Sequence, residues 1–81
     1  MANADEIIAE FVGVGVSEHD AQVLADCILT KKSCSWVNTE DVNAQMLKDI
    51  DHVIEKNNYG ISVKVDSIPT RSKFIWDVKV E

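Results

Sequence analysis

The chain has 81 residues, with 14 acidic and 8 basic side chains and a net charge of −6. A chain this short buries only about 60–65% of the surface its unfolded form exposes, which excludes a second lobe closing over a substrate. With 46% apolar and 27% charged residues it is globular rather than disordered, so residues 1–81 read as one domain.

The charge is uneven. Residues 1–58 hold eleven acidic and four basic side chains, and residues 59–81 hold three and four. Phosphate binding needs clustered Lys and Arg, so the first part should repel nucleic acid. The N-terminal stretch has neither the basic nor the apolar region of a signal peptide. No apolar run approaches the length that crosses a bilayer. Cys27 and Cys34 are therefore expected as free thiols in a reducing compartment, which points to the cytoplasm.

In chain order, Asn3 followed by Glu6 suits a helix start. Ile7, Ile8 and Phe11 share one face, and Gly13 and Gly15 end the helix. Ser17 opens a second helix, with Glu18 and Asp20 near its positive end. Ala21, Leu24, Ala25, Ile28 and Leu29 form its apolar stripe, and it should fray between Thr30 and Ser35. Asn38 or Thr39 caps the third helix, in which Val42, Met46, Leu47, Ile50, Val53 and Ile54 recur at the 3.6-residue period. Asn57 and Asn58 end it.

From Tyr59 the period changes to two. Tyr59, Ile61, Val63 and Val65 share a face, as do Phe74, Trp76, Val78 and Val80 after a loop. Pairing Asp66 with Lys73 sets Val65 opposite Phe74 and Val63 opposite Trp76, and makes one hairpin face wholly apolar. Ser35, Trp36 and Val37 offer a short third strand at the sheet edge. The expected fold is α+β: three helices followed by a C-terminal antiparallel hairpin packed on them, with a winged-helix-like outline.

That outline raises nucleic-acid binding, with Arg71 and Lys73 at the hairpin tip touching phosphate. The exposed side of the third helix argues against it. Glu40, Asp41, Asp49, Asp51 and Glu55 stand there against only Lys48 and Lys56, whereas base and phosphate readout need Arg and Lys. His19, Cys27, Cys34 and His52 lack short chelating spacings, so no metal is expected. No oxyanion hole or cofactor-binding loop is visible, so neither enzyme activity nor a cofactor is expected. Gly15–Leu29 is similar to the N-terminal helix of the malate/L-lactate dehydrogenase family that lacks the Rossmann fold. Asn38, Thr39, Glu40 and Asp41 stand where that family carries Ser-His-Gly, so no catalytic residue is carried over.

The reading that remains is a small acidic, non-catalytic interaction or regulatory module, of the kind that inhibits by docking on a basic surface of a nucleic-acid-handling complex. Its candidate contacts are Glu40, Asp41, Asp49, Asp51 and Glu55 on the helical side. Trp36 and the outward Ile75 are candidate apolar anchors, and Arg71 and Lys73 lie at the tip. A homodimer through the hairpin edge is a further expectation. The alternatives are a winged-helix nucleic-acid binder and a segment of a larger enzyme.

Overall fold

The computed structural model describes residues 3–39, 42–68, 70 and 73–81. Glu40, Asp41 and Arg71 lie outside the described residues. The elements run α1 (Ala4–Gly13), α2 (Glu18–Thr30), β1 (Cys34–Asn38), α3 (Ala44–Asn57), β2 (Ile61–Ile68) and β3 (Lys73–Val80). Three helices and an antiparallel sheet make the α+β class expected, with two corrections. A strand precedes the third helix, and the sheet has three strands in the order β1-β3-β2 rather than a lone hairpin, the third being the edge strand that Ser35, Trp36 and Val37 offered.

Each helix begins on a side-chain cap that satisfies an otherwise orphaned backbone N–H. Asn3 accepts from the Glu6 N–H at 2.9 Å, and Ser17 from Asp20 at 3.2 Å. Asn43 accepts from Met46 at 2.8 Å. The third cap is thus Asn43, not Asn38 or Thr39, because Asn38 is spent pairing with Phe74 in the sheet. Two helices end on left-handed residues, Lys31 (φ 56°) and Asn58 (φ 53°). The first of these replaces the expected fraying with a sharp turn into β1. Between α1 and α2, Gly15 takes φ 101°, and Val16 beside it is buried.

The core lies between the helices and the inner sheet face. Ile7, Phe11, Leu24, Ile50, Trp76 and Val78 are its largest fully buried apolar side chains. Leu29, expected in the apolar stripe of α2, is half exposed. Every inward residue expected in the hairpin does face inward, but the register differs by two. Val65 lies opposite Trp76, Val63 opposite Val78 and Ile68 opposite Lys73. A slip of two residues preserves each side chain's face, where a slip of one inverts all of them.

Cys27 and Cys34 are not free thiols. They form a disulfide across the turn at Lys31, with Cα atoms 6.5 Å apart. The bridge removes the basis for reading a reducing compartment from these cysteines. Among the described residues no helix is long and apolar enough to cross a membrane.

Candidate functional site

Two polar features stand out, one buried and one on the surface. The buried one centres on Asp20, one of the two acids expected near the positive end of α2. It is 1% exposed. Its Oδ1 accepts from Trp36 Nε1 at 3.0 Å and from His19 Nδ1 at 3.2 Å, and its Oδ2 accepts from Asn38 Nδ2. One sequence signal pointed there: Asp20, Leu24 and Cys27 recur at i, i+4 and i+7, the stripe that α2 buries. Trp36 and Asn38 alternate on the inward face of β1, so both meet that stripe.

Trp36 also stacks on Trp76 across the β1–β3 ladder, with ring centroids 5.3 Å apart and planes within 15°. It therefore packs against the hairpin, with its indole N–H held inside. Asp20 and the disulfide fasten α2 to β1 at opposite ends of both elements. Such a carboxylate, taken up by donors and closed to solvent, organises structure and meets no substrate.

The surface feature is built on α3. Asp49, His52, Val53 and Lys56 fall at i, i+3, i+4 and i+7 and face α1. With Glu6, Ala9, Glu10, Gly13 and Val14 they line an open groove of about 680 Å³. Lys56 Nζ meets Glu10 Oε2 at 3.2 Å across it. Both partners are partly exposed, so the pair contributes little. Asp49 accepts from Gln45 Nε2 at 3.0 Å.

The other flank of α3 carries Asp51 and Glu55. They line a second depression with Asn58, Ser62 and Glu81 at the start of the sheet. Carboxylates from α1, α3 and the C-terminal residue thus border one helix on both sides. Asp49, Asp51 and Glu55 were expected to present an acidic surface. Glu6, Glu10 and Glu81 join them only through the packing of α1 and the sheet.

The remaining candidates lie elsewhere. Ile75 is half-buried on the outer sheet face, between Val37 and Asp66 in register. Val37 is half exposed, so the two form a small apolar patch. Lys73 is exposed at the hairpin tip, opposite Ile68. None of these adjoins the acidic groove.

Tyr59 packs on Phe11 with ring centroids 6.1 Å apart. Burial pushes its phenol above the ordinary value of 10.0, and the nearby Glu10 and Glu6 charges add to that. Among the described residues no three His, Cys, Asp or Glu side chains come together as a metal-binding set. Comparison with protein-family models, curated proteins and solved structures finds no match.

Proposed function

We propose that the protein is a small non-catalytic interaction module that docks the acidic surface around α3 on a basic surface of a partner protein. One observation carries this reading: Glu6, Glu10, Asp49, Asp51, Glu55 and Glu81 border the two flanks of a single exposed helix. The excess of carboxylates here over Lys48 and Lys56 speeds encounter with a basic surface and makes the association sensitive to salt. The most specific partner is a nucleic-acid-handling complex, whose basic groove has the charge that this surface complements. A protein seated there competes with the nucleic acid, so the module acts as an inhibitor.

A cytoplasmic location belongs to the same reading, with one observation against it. Cys27 and Cys34 are bridged, and structural disulfides persist mainly in oxidising compartments. Alkylation of thiols in intact cells decides the point: labelled cysteines agree with the cytoplasm, and protected ones contradict it.

The function is tested by capture from cell lysate with and without nuclease, using the wild-type chain and the Asp49→Lys, Asp51→Lys, Glu55→Lys triple variant. The proposal expects a stoichiometric protein partner that survives nuclease, weakens with salt and is lost with the triple variant. A partner set that vanishes with nuclease, or that the triple variant retains, overturns it.

A further inference from the structure

We propose that β2 is the seam of a homodimer: two copies pair antiparallel along its free edge, with the two-fold axis at Val65. The inference goes beyond the docking surface, and no carboxylate of α3 takes part in it. With the order β1-β3-β2, one edge of β2 has no neighbouring strand. Its eight residues pair without interruption against Val80 to Lys73, with no bulge. A regular edge of this length is a template for another strand.

Two bonds fix which backbone groups face that edge. The Glu81 N–H donates to the Gly60 carbonyl at 2.9 Å, towards β2. The Val80 N–H turns the other way, to Ser33 Oγ at 3.2 Å on the β1 side. Antiparallel strands alternate in this respect. Ser62, Lys64, Asp66 and Ile68 therefore spend their backbone groups on β3, while Ile61, Val63, Val65 and Ser67 aim theirs outward. Among the described residues no backbone bond from those four reaches another part of the chain.

An axis at Val65 uses these groups directly. Val65 exchanges both hydrogen bonds with the partner's Val65, and Val63 pairs with the partner's Ser67. Lys64 then faces the partner's Asp66, and the same pair recurs on the other side of the axis. These are non-hydrogen-bonded positions, where facing Cα atoms approach to about 4.5 Å and side chains meet most closely. Both side chains are exposed in the single chain.

Neighbouring registers fail. An axis at Lys64 or at Asp66 keeps the outward backbone groups facing each other but opposes like charges directly across the axis. An axis at Val63 leaves Asp66 without a basic partner. The pairing also covers Val63 and Val65, which the edge position leaves only half-buried. The opposite edge offers less, since β1 has five residues and only Ser35 and Val37 aim backbone groups outward.

The test is sedimentation equilibrium on the full chain. Wild type is expected as a dimer. Val65→Pro removes an N–H that the β2–β3 ladder does not use, so the monomer keeps its fold and loses the seam. Asp66→Lys sets lysines against each other twice across the axis, while its own neighbour on β3 is the uncharged Ile75. Both variants are expected as monomers with wild-type circular dichroism. A Lys64→Asp chain is likewise expected as a monomer, and mixing it with the Asp66→Lys chain restores a dimer. Wild-type chain that stays monomeric at the highest soluble concentration, or a dimer that survives Val65→Pro or Asp66→Lys, overturns the proposal. If Val65→Pro fails to fold, Asp66→Lys decides alone.

Discussion

Replacing Asp20 by Ala should be among the most damaging single changes in this chain. The substitution removes the acceptor for Trp36 Nε1 and Asn38 Nδ2. His19 loses its bond too, but its side chain is 78% exposed and turns to water. A buried donor left without a partner costs about 1–3 kcal/mol, so two cost about 2–6 kcal/mol. A domain of this size moves by about 4–8 °C per kcal/mol, which sets the expected fall in Tm at roughly 10 °C or more.

Asp20→Asn should cost clearly less. Asn38 Oδ1 has no hydrogen-bond partner among the described residues. A rotated Asn38 amide then accepts from the new side-chain amide, while the amide oxygen still accepts from Trp36. Thermal and urea unfolding of wild type, Asp20→Ala and Asp20→Asn, followed by circular dichroism, measures the order. An Asp20→Ala variant within about 0.5 kcal/mol of wild type, the range of an ordinary surface change, refutes the reasoning. An Asp20→Asn variant as damaged as Asp20→Ala refutes the rotated-amide account.

Four further outcomes follow from the fold. The disulfide closes a loop with a sequence separation of 7. Chain-entropy arguments give such a loop about 2.5 kcal/mol, so reduced protein should melt well below oxidised protein in paired thermal scans. Lys31 holds a left-handed conformation that costs a side-chain-bearing residue roughly 1–2 kcal/mol, partly offset by glycine's greater chain entropy. Lys31→Gly should therefore raise the urea midpoint modestly.

The raised Tyr59 pKa means that the folded state holds the phenolic proton more tightly than the unfolded chain. This contribution is fully present below the unfolded value of 10.0 and is lost as pH rises through the folded value. Stability should fall above pH 10.0 in wild type and fall less in Tyr59→Phe, as unfolding midpoints across that range will report. Lys56→Ala breaks only the partly exposed pair with Glu10 and should change stability by less than about 1 kcal/mol, measured in the same urea assay.

The alternation from Tyr59 onward made the faces of β2 and β3 legible, because period two follows directly from strand geometry. Their register was not legible. Pairing Asp66 with Lys73 weighed an exposed charge pair, which contributes little. The observed register instead sets Trp76 between Trp36 on β1 and Val65 on β2, a packing choice that depends on a third strand.

The same strand displaced the start of α3. Asn38, Thr39 and Asn43 are all good caps, and only the β1 ladder removes the first. Asp20 was expected only as an acid serving the positive end of α2. Its place on the Leu24–Cys27 stripe was visible, but its donors come from a strand sixteen and eighteen residues on. Cys27 and Cys34 share a helical face only if α2 continues. The left-handed turn at Lys31 brings them together by ending it.

For the candidate site, the acids of α3 were legible from the helical period, and the gathering of Glu6, Glu10 and Glu81 around them was not. That gathering depends on how α1 packs beside α3 and where β3 ends, which no local pattern encodes. Trp36, a candidate apolar anchor, instead lies against Trp76 with its N–H on Asp20.

The most direct test of the docking surface is an NMR titration of isotope-labelled protein with the captured partner, following backbone amides residue by residue. The account predicts that the largest shifts fall at Glu6, Glu10, Asp49, Asp51 and Glu55 and diminish with added salt. Shifts confined to Lys73, Ile75 and the hairpin tip, with α3 unmoved, would contradict it.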